Sequence, residues 1–448
     1  MTFEFVRHTQ GCKRLILIFA GWSTGVELYS TLNVNDWDIA VVYDYSDLNF
    51  DHTLIGDYTT IWLVAWSLGV LAAANSLPSE KITAAFAING SLNPVDDSEG
   101  IPVDIYEGTI ANLDNRNLGK FRRRMSPDAA TFKRLFDRDF SDTEITSLRD
   151  QLLNLQKLSG KQTCALPWKK VFISDNDRIF PPLNLNRSWE DKNVEIVNLH
   201  GAHYYPFQEI LSSIIPDTNR IATKFQSALP LYDHHAIAQK KIACTLCELL
   251  ADRAPRSKGS VLEIGPGSGL LTREYAPILK PEEIDFIDLF ELPRFNMAPA
   301  EHYHTGNAET IVETLDAKYD LILSASTIQW FSNIPEFLLN CRKLLKSGGI
   351  LAFSSFTEGN LSELDNYRPS PLHYPSVEEY RTWLSRLFSD FTIETMELPL
   401  SFASKRELLM HLKHTGVSAS GHLTGSPHSL PASLTTLTYR PILFTATI

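Results

Sequence analysis

Short apolar runs alternate with helix-patterned stretches along the whole chain. In the first half, Leu15–Ala20, Ile39–Val42, Ile61–Ala65, Ala84–Ile88, Val171–Ser174 and Val194–Leu199 read as buried strands. Runs of this kind, with little polar alternation, suit strands covered on both faces of a parallel sheet. Between the fourth and fifth runs lies an insertion, about residues 91–168, rich in charges and helix formers. This pattern predicts a doubly wound sheet with a helical cap. A second alternation begins after about residue 215. Ser260–Ile264, Ile284–Leu289, Leu321–Ala325 and Ile350–Ser355 read as strands, and Ile237–Leu250 and Pro335–Leu345 as helical stretches. The expected class is therefore α/β with two domains, residues 1–215 and 216–448, joined near Ile215–Thr218. Gly416 to Pro431, rich in Ser, Gly, His and Pro, reads as a loop.

Composition agrees with that division and narrows the setting. A chain of 448 residues exceeds one ordinary core. The net charge of -12 argues against a nucleic-acid partner, which needs a Lys/Arg excess. Five scattered cysteines give no disulfide framework, so a reducing, cytoplasmic setting is expected. Cys244 and Cys247 form a CxxC, but within an Ala/Leu-rich helical stretch that predicts a core-facing helix and no metal site. The first residues lack the design of a signal peptide. The longest apolar run, Ile61 to Ala74, has 14 residues interrupted by Ser67 and Gly69, too short to cross a bilayer.

Candidate chemistry in the first half centres on Ala65-Trp66-Ser67-Leu68-Gly69. An apolar strand runs straight into Ser67 and then into an Ala-rich helix, the context of a nucleophile elbow. The tight turn needs small residues two before and two after the nucleophile; here they are Ala65, where Gly is usual, and Gly69. A serine nucleophile needs a histidine base and an acid that orients it. Asp175 and Asp177 follow the fifth strand, and His200 and His203 follow the sixth. Asp177 is preferred to Asp175, which is also placed to cap a turn. His203 is preferred to His200, which is also placed to bond a carbonyl. Phe19-Ala20-Gly21-Trp22 ends the first strand in a small-residue turn, so the oxyanion hole is assigned to the N–H groups of Trp22 and Leu68.

Ala-Trp-Ser-Leu-Gly, Phe-Ala-Gly-Trp, Asp-Arg-Ile-Phe-Pro and Gly-Ala-His-Tyr-Tyr-Pro-Phe resemble the BioG-type pimeloyl-[acyl-carrier protein] methyl ester esterases of biotin synthesis, over about residues 1–215. The resemblance implies an α/β-hydrolase with the triad Ser67–Asp177–His203 and no cofactor. It also implies an acyl chain carried by an acidic carrier protein. Arg122, Arg123 and Arg124 then read as carrier-docking groups, or as a solvated helix face.

In the second half, Glu263-Ile264-Gly265-Pro266-Gly267-Ser268-Gly269 joins a strand to a helix. The motif reads GxGxG, not the dinucleotide GxGxxG, and Glu263 stands at the acidic position common in class I methyltransferases. Asp288, nineteen residues after Gly269, ends the next strand where an acid accepts ribose hydroxyls; Glu291 is the rival and Asp285 falls early. Asn307 and Ala308 lie where an adenine-contacting loop belongs, although an acid is common at Asn307. Ser324 to Trp330 follows the fourth strand, where a methyl acceptor approaches.

Tyr232-Asp233-x-His235-Ala236, Ser326-Thr327-Ile328-Gln329-Trp330, Phe353 to Leu361, Leu412-Lys413-x-x-Gly416 and Leu437-Thr438-Tyr439 resemble BioC-type malonyl-[acyl-carrier protein] O-methyltransferases, from about Lys224 onward. The resemblance implies S-adenosylmethionine as methyl donor and the acyl carrier protein as partner. A carboxylate acceptor is ionised at neutral pH and needs no general base. Tyr232 is the candidate for holding it, with a packed aromatic as the alternative. The expected function is a bifunctional enzyme that installs and removes one methyl ester. A general carboxylesterase joined to a small-molecule methyltransferase, or one half acting only as a carrier-docking module, are the rival readings.

Overall fold

Continuous apolar runs become the central strands of two separate sheets. The computed structural model describes all residues except 162, 252–258, 368–373, 417–429 and 432. Most of the loop expected from Gly416 to Pro431 thus lies outside the described residues. The chain divides into two units, Met1–Leu211 and Ser212–Ile448.

The first unit contains β1 (Thr2–Arg7), β2 (Arg14–Phe19), β3 (Asp38–Tyr43), β4 (Thr60–Trp66), β5 (Ala84–Ile88), β6 (Trp168–Ser174) and β7 (Glu195–Leu199). They form one sheet in the order β1-β3-β2-β4-β5-β6-β7. Every residue of β2, β4 and β5 is buried, as runs without polar alternation require. All pairs are parallel except β1 with β3. The sheet edges depart from expectation. β1 is an additional strand, hidden by its polar alternation Thr-Phe-Glu-Phe-Val-Arg. β7, read as buried, has only β6 as neighbour and not one fully buried residue.

The insertion between β5 and β6 folds into four helices, Val103–Ala111, Asn115–Met125, Ala129–Leu135 and Asp142–Leu158. The last three begin at side-chain caps, Asp114, Asp128 and Ser141, and Ser141 with Glu144 completes a capping box. The long helix packs back on the helix Gly69–Ser76 that follows β4. The insertion is thereby fixed beside the end of the central strand.

The second unit contains β8 (Ser260–Ile264), β9 (Glu283–Asp288), β10 (Ala300–Thr305), β11 (Tyr319–Ser324), β12 (Leu345–Phe356), β13 (Asp390–Thr395), β14 (Leu398–Ser401), β15 (Thr436–Tyr439) and β16 (Pro441–Thr447). Its main sheet has the order β10-β9-β8-β11-β12-β16-β13. The first five are parallel, and β16 lies antiparallel between β12 and β13. Strand order reverses at β8, so the connections after β8 and β11 diverge and leave a crevice at their carboxyl ends. Cys244 and Cys247 lie half-buried on the helix Ile237–Ala251, as expected, and burial pushes the Cys247 thiol up to about 12. No helix among the described residues is long and apolar enough to cross a membrane.

Candidate active sites

In the first unit, the chain must reverse within two residues between the end of β4 at Trp66 and the helix that starts at Gly69. Ser67 takes the whole bend, with φ at 59°, a left-handed conformation that costs an L residue free energy. Its N–H bonds Ile88 O at 2.9 Å and its carbonyl accepts from Val70 N at 3.1 Å. The helix passes hard against the end of β2. A Cβ on Gly69 would stand 2.5 Å from Phe19 O and 2.6 Å from Ala20 O. Gly69 is therefore required by close approach, and Ser67 Oγ is left pointing off the sheet's carboxyl edge.

Two Asp–His pairs form at the ends of β6 and β7, and they differ in burial. His203 Nε2 lies 2.9 Å from Ser67 Oγ, and its Nδ1 lies 2.7 Å from Asp177 Oδ2. The other Asp177 oxygen accepts from Ile179 N at 2.7 Å and Phe180 N at 3.0 Å. Ser67, Asp177 and His203 are 4%, 7% and 0% exposed, so water does not compete for these bonds. Asp175 and His200 pair at the same 2.7 Å, but their side chains are 51% and 98% exposed. They do not reach Ser67. The His200 hydrogen bond holds the Asp175 carboxyl below its usual range.

A further layer holds the histidine and carries no motif. Asn89, fully buried with φ at 43°, donates from Nδ2 to His203 O at 2.9 Å and Ser174 Oγ at 2.8 Å. Its Oδ1 accepts from Ser174 N at 2.7 Å. Trp66 Nε1 also donates to His203 O, at 3.0 Å. The Phe180 ring stacks on the imidazole at 5.8 Å and 10°. The one available sequence signal was an asparagine at the end of β5, immediately before Gly90.

Beside Ser67 lies a cavity walled mainly by Ile101, Ile105, Tyr106, Phe121, Leu152 and Ile179. Trp22 and Leu68 line it as well, and their backbone N–H groups reach no protein acceptor among the described residues. Arg124 and Arg178 line both this cavity and a wider groove that adds Lys120 and Arg123. Arg122 departs from the expected docking role. It is 2% exposed, donates to Phe136 O and Ser23 O, and lies 4.7 Å over the Phe140 ring. Burial lowers its pKa to about 10. On the helix Asn115–Met125, the position of Arg122 faces inward while Arg123 and Arg124 face out.

In the second unit, Gly265, Gly267 and Gly269 all have positive φ, which lets the loop after β8 fold back under the crevice. The crevice encloses about 1060 Å³, its open mouth included. Gly265, Gly267, Asp288, Asn307 and Ala308 line it, with Tyr232 on the helix Thr218–His235 above. Asp288 Oδ2 accepts from Gly267 N at 3.0 Å, and burial pushes this carboxyl up to about 6. Asn307 Oδ1 accepts from Glu309 N at 3.0 Å and caps the helix Ala308–Thr314. Burial also raises the Tyr232 pKa above its usual value.

Two residues expected to contact the cofactor lie outside the crevice lining. Glu263 is 1% exposed and does not line the crevice. Its Oε2 accepts from Thr272 Oγ1 at 2.7 Å and Tyr275 OH at 2.8 Å, fastening β8 to the helix Leu270–Leu279. Burial pushes its pKa up to about 7. Gly269 starts that helix and lies under the Phe295 ring, also outside the crevice. The rivals to Asp288 do not enter either; Asp285 accepts from Tyr319 OH, and Glu291 is absent from the lining.

Two family models match this chain. The model described as pimeloyl-ACP methyl esterase BioG matches residues 1–211, and a methyltransferase-domain model matches residues 232–396. A malonyl-[acyl-carrier protein] O-methyltransferase from Bacteroides fragilis is 34% identical over 420 residues, covering 91% of this chain and 85% of that protein. One from Haemophilus influenzae is 33% identical over 247 residues, 51% of this chain and 94% of that protein. The solved structure of BioG from Haemophilus influenzae is 32% identical, with a TM-score of 0.41, and matches 46% of this chain and 94% of that one.

Proposed function

The chain belongs to the malonyl-[acyl-carrier protein] O-methyltransferase family and carries a BioG domain ahead of a Rossmann-like methyltransferase domain, and from that premise we propose a bifunctional enzyme of biotin synthesis. Its second unit methylates the free carboxylate of malonyl-acyl carrier protein with S-adenosylmethionine. Its first unit, of α/β-hydrolase type, hydrolyses the methyl ester once the chain has reached pimeloyl length.

The observation that carries the hydrolase is the buried chain from Asp177 through His203 to Ser67. Ser67 Oγ attacks the ester carbonyl while His203 Nε2 takes its proton. Methanol departs with that proton, and water, activated by the same nitrogen, releases the acid. Asp177 holds the imidazole tautomer and stabilises its cation. The N–H groups of Trp22 and Leu68 receive the negative oxygen. The mainly apolar wall of the cavity beside Ser67 suits a methyl-capped acyl arm. Lys120, Arg123, Arg124 and Arg178 supply positive charge for the acidic carrier.

In the second unit the residues fit an adenosyl group. Asp288 accepts ribose hydroxyls, the backbone at Gly265 and Gly267 allows close approach, and Asn307 and Ala308 border the adenine. When bound, the donor would pass its methyl carbon to a carboxylate oxygen of the acceptor, and the sulfur would keep the electron pair of the broken carbon–sulfur bond. No proton moves, so the chain needs only to align and desolvate the carboxylate.

Mass spectrometry tests both halves. Malonyl-acyl carrier protein incubated with S-adenosylmethionine gains one methyl group, and pimeloyl methyl ester on the carrier loses one. Ser67→Ala abolishes the loss and preserves the gain. Equal hydrolysis of malonyl and pimeloyl methyl esters would overturn the chain-length assignment.

A further inference from the structure

The cofactor crevice does not end at Tyr232. A second cavity adjoins it and shares Phe225, Tyr232, Gln239, Ser326 and Trp330 as lining. Its far side is formed by Phe356, Leu361, Tyr374 and Tyr439, with Asn360 and Thr415 among them. No Lys or Arg lines it among the described residues.

In the shared lining Ser326 Oγ, Trp330 Nε1 and Gln239 Oε1 stand without partners among the described residues, as does Gln329 Oε1 of the second cavity; of these the first two can donate. Ser326 Oγ and Trp330 Nε1 are buried and make no hydrogen bond among the described residues. A buried donor left unpaired is costly and points to a ligand group that satisfies it. The local fold keeps both in place. Ser326 has φ at 53° and its N–H bonds Ser354 Oγ at 3.1 Å. Its carbonyl accepts from Gln329 Nε2 at 2.6 Å, closing the turn that carries Trp330. The Trp330 ring meets Phe225 edge-on at 5.9 Å and 82°.

Resting on the methyl transfer proposed above, we infer that this seam is the acceptor carboxylate subsite, with Trp330 Nε1–H and Ser326 Oγ–H as its donors. Two neutral donors bind an ionised oxygen strongly and an ester oxygen weakly, so the free acid is recognised and the methyl ester is released. A guanidinium would engage both oxygens and reduce their nucleophilicity. Neutral donors and aromatic walls desolvate the carboxylate and leave an oxygen free to face the methyl group.

Calorimetry on the protein loaded with S-adenosylhomocysteine tests this without turnover. The probes are malonyl-pantetheine and its terminal amide. Wild type binds the acid more tightly than the amide. Trp330→Phe and Ser326→Ala each lower acid affinity about tenfold or more, the scale of a lost bond to a charged group. Each lowers the affinities for the amide, and for S-adenosylhomocysteine across the shared wall, by a clearly smaller factor than the affinity for the acid. The inference is overturned if both variants bind the acid as wild type does, if acid, amide and S-adenosylhomocysteine weaken by the same factor, or if wild type shows no preference for the acid. Failure of wild type to methylate malonyl-acyl carrier protein would instead overturn the substrate assignment, and the binding comparison still decides the subsite.

Discussion

Asp177→Asn is the sharpest perturbation available to the hydrolase reading. One Asp177 oxygen accepts two backbone N–H bonds, at 2.7 and 3.0 Å, and the other faces His203 Nδ1 at 2.7 Å. An asparagine must keep its carbonyl oxygen toward the two backbone donors, since turning it would bury two unpaired N–H groups at about 1–3 kcal/mol each. Its amide NH2 therefore faces Nδ1 and makes that nitrogen an acceptor. The ring proton moves to Nε2, which then cannot take the proton of Ser67 Oγ. A wrong tautomer with the geometry intact costs on the order of 10⁴ in kcat, equivalent to about 5.5 kcal/mol of barrier. The assay is the initial rate of methyl ester hydrolysis, with methyl transfer measured on the same sample as a control for folding. Asp175→Asn, in the exposed pair, is the matched comparison and is expected to stay within about threefold of wild type, as a surface change does. A kcat for Asp177→Asn within tenfold of wild type, or an equal loss in Asp175→Asn, would refute the argument.

Two further outcomes follow from groups shifted by burial, and a third from exposed groove charges. On the proposed role Asp288 accepts both ribose hydroxyls best as the ion, and its pKa is raised to about 6, so a proton competes with the cofactor. S-adenosylhomocysteine affinity should fall up to about tenfold per pH unit below 6, and Asp288→Asn should flatten that profile, measured by calorimetry. Glu263 is raised from 4.5 to about 7, so the folded state holds its proton where the unfolded chain has lost it. That contribution to stability is complete below about 4.5 and is lost as pH rises through 7, about 3 kcal/mol in all. Glu263→Gln keeps acceptance from Thr272 and Tyr275, and denaturation at pH 5 and pH 8 should show the slope reduced; an unchanged slope would refute the assignment. Reversing two exposed groove charges, Lys120→Glu with Arg123→Glu, should raise the KM for the carrier-borne ester roughly tenfold and leave kcat for a free methyl ester unchanged.

Local chemistry determined a great deal of this protein. The parallel strands read at the centre of both sheets, the elbow at Ser67 and the glycine loop after β8 are each set by residues within a dozen positions of one another. Such turns are legible because only small residues fit a close approach and because an unbroken apolar run suits a strand covered on both faces. Strands at sheet margins, β1, β10 and β13, were not legible, since their polar alternation carries no apolar run.

Burial was decided by segments far apart in sequence. Asp175 and Asp177 follow one strand and His200 and His203 another; the sequence favours Asp177 and His203, but both combinations pair at 2.7 Å. Only the packing of Phe180, Trp66 and Asn89 around one of them excludes water and directs it to Ser67, 136 residues away. Arg122 and Glu263 show the same limit. Each stands within a motif whose neighbours face a site, yet the helix turn or the strand pleat sends that one side chain into the core. The sequence by itself determined where each chemistry could be built. The tertiary structure decided which side chains of each motif are buried and which reach the site, as with Arg122 and Glu263, because periodicity ranks the faces of an element and packing chooses what covers them.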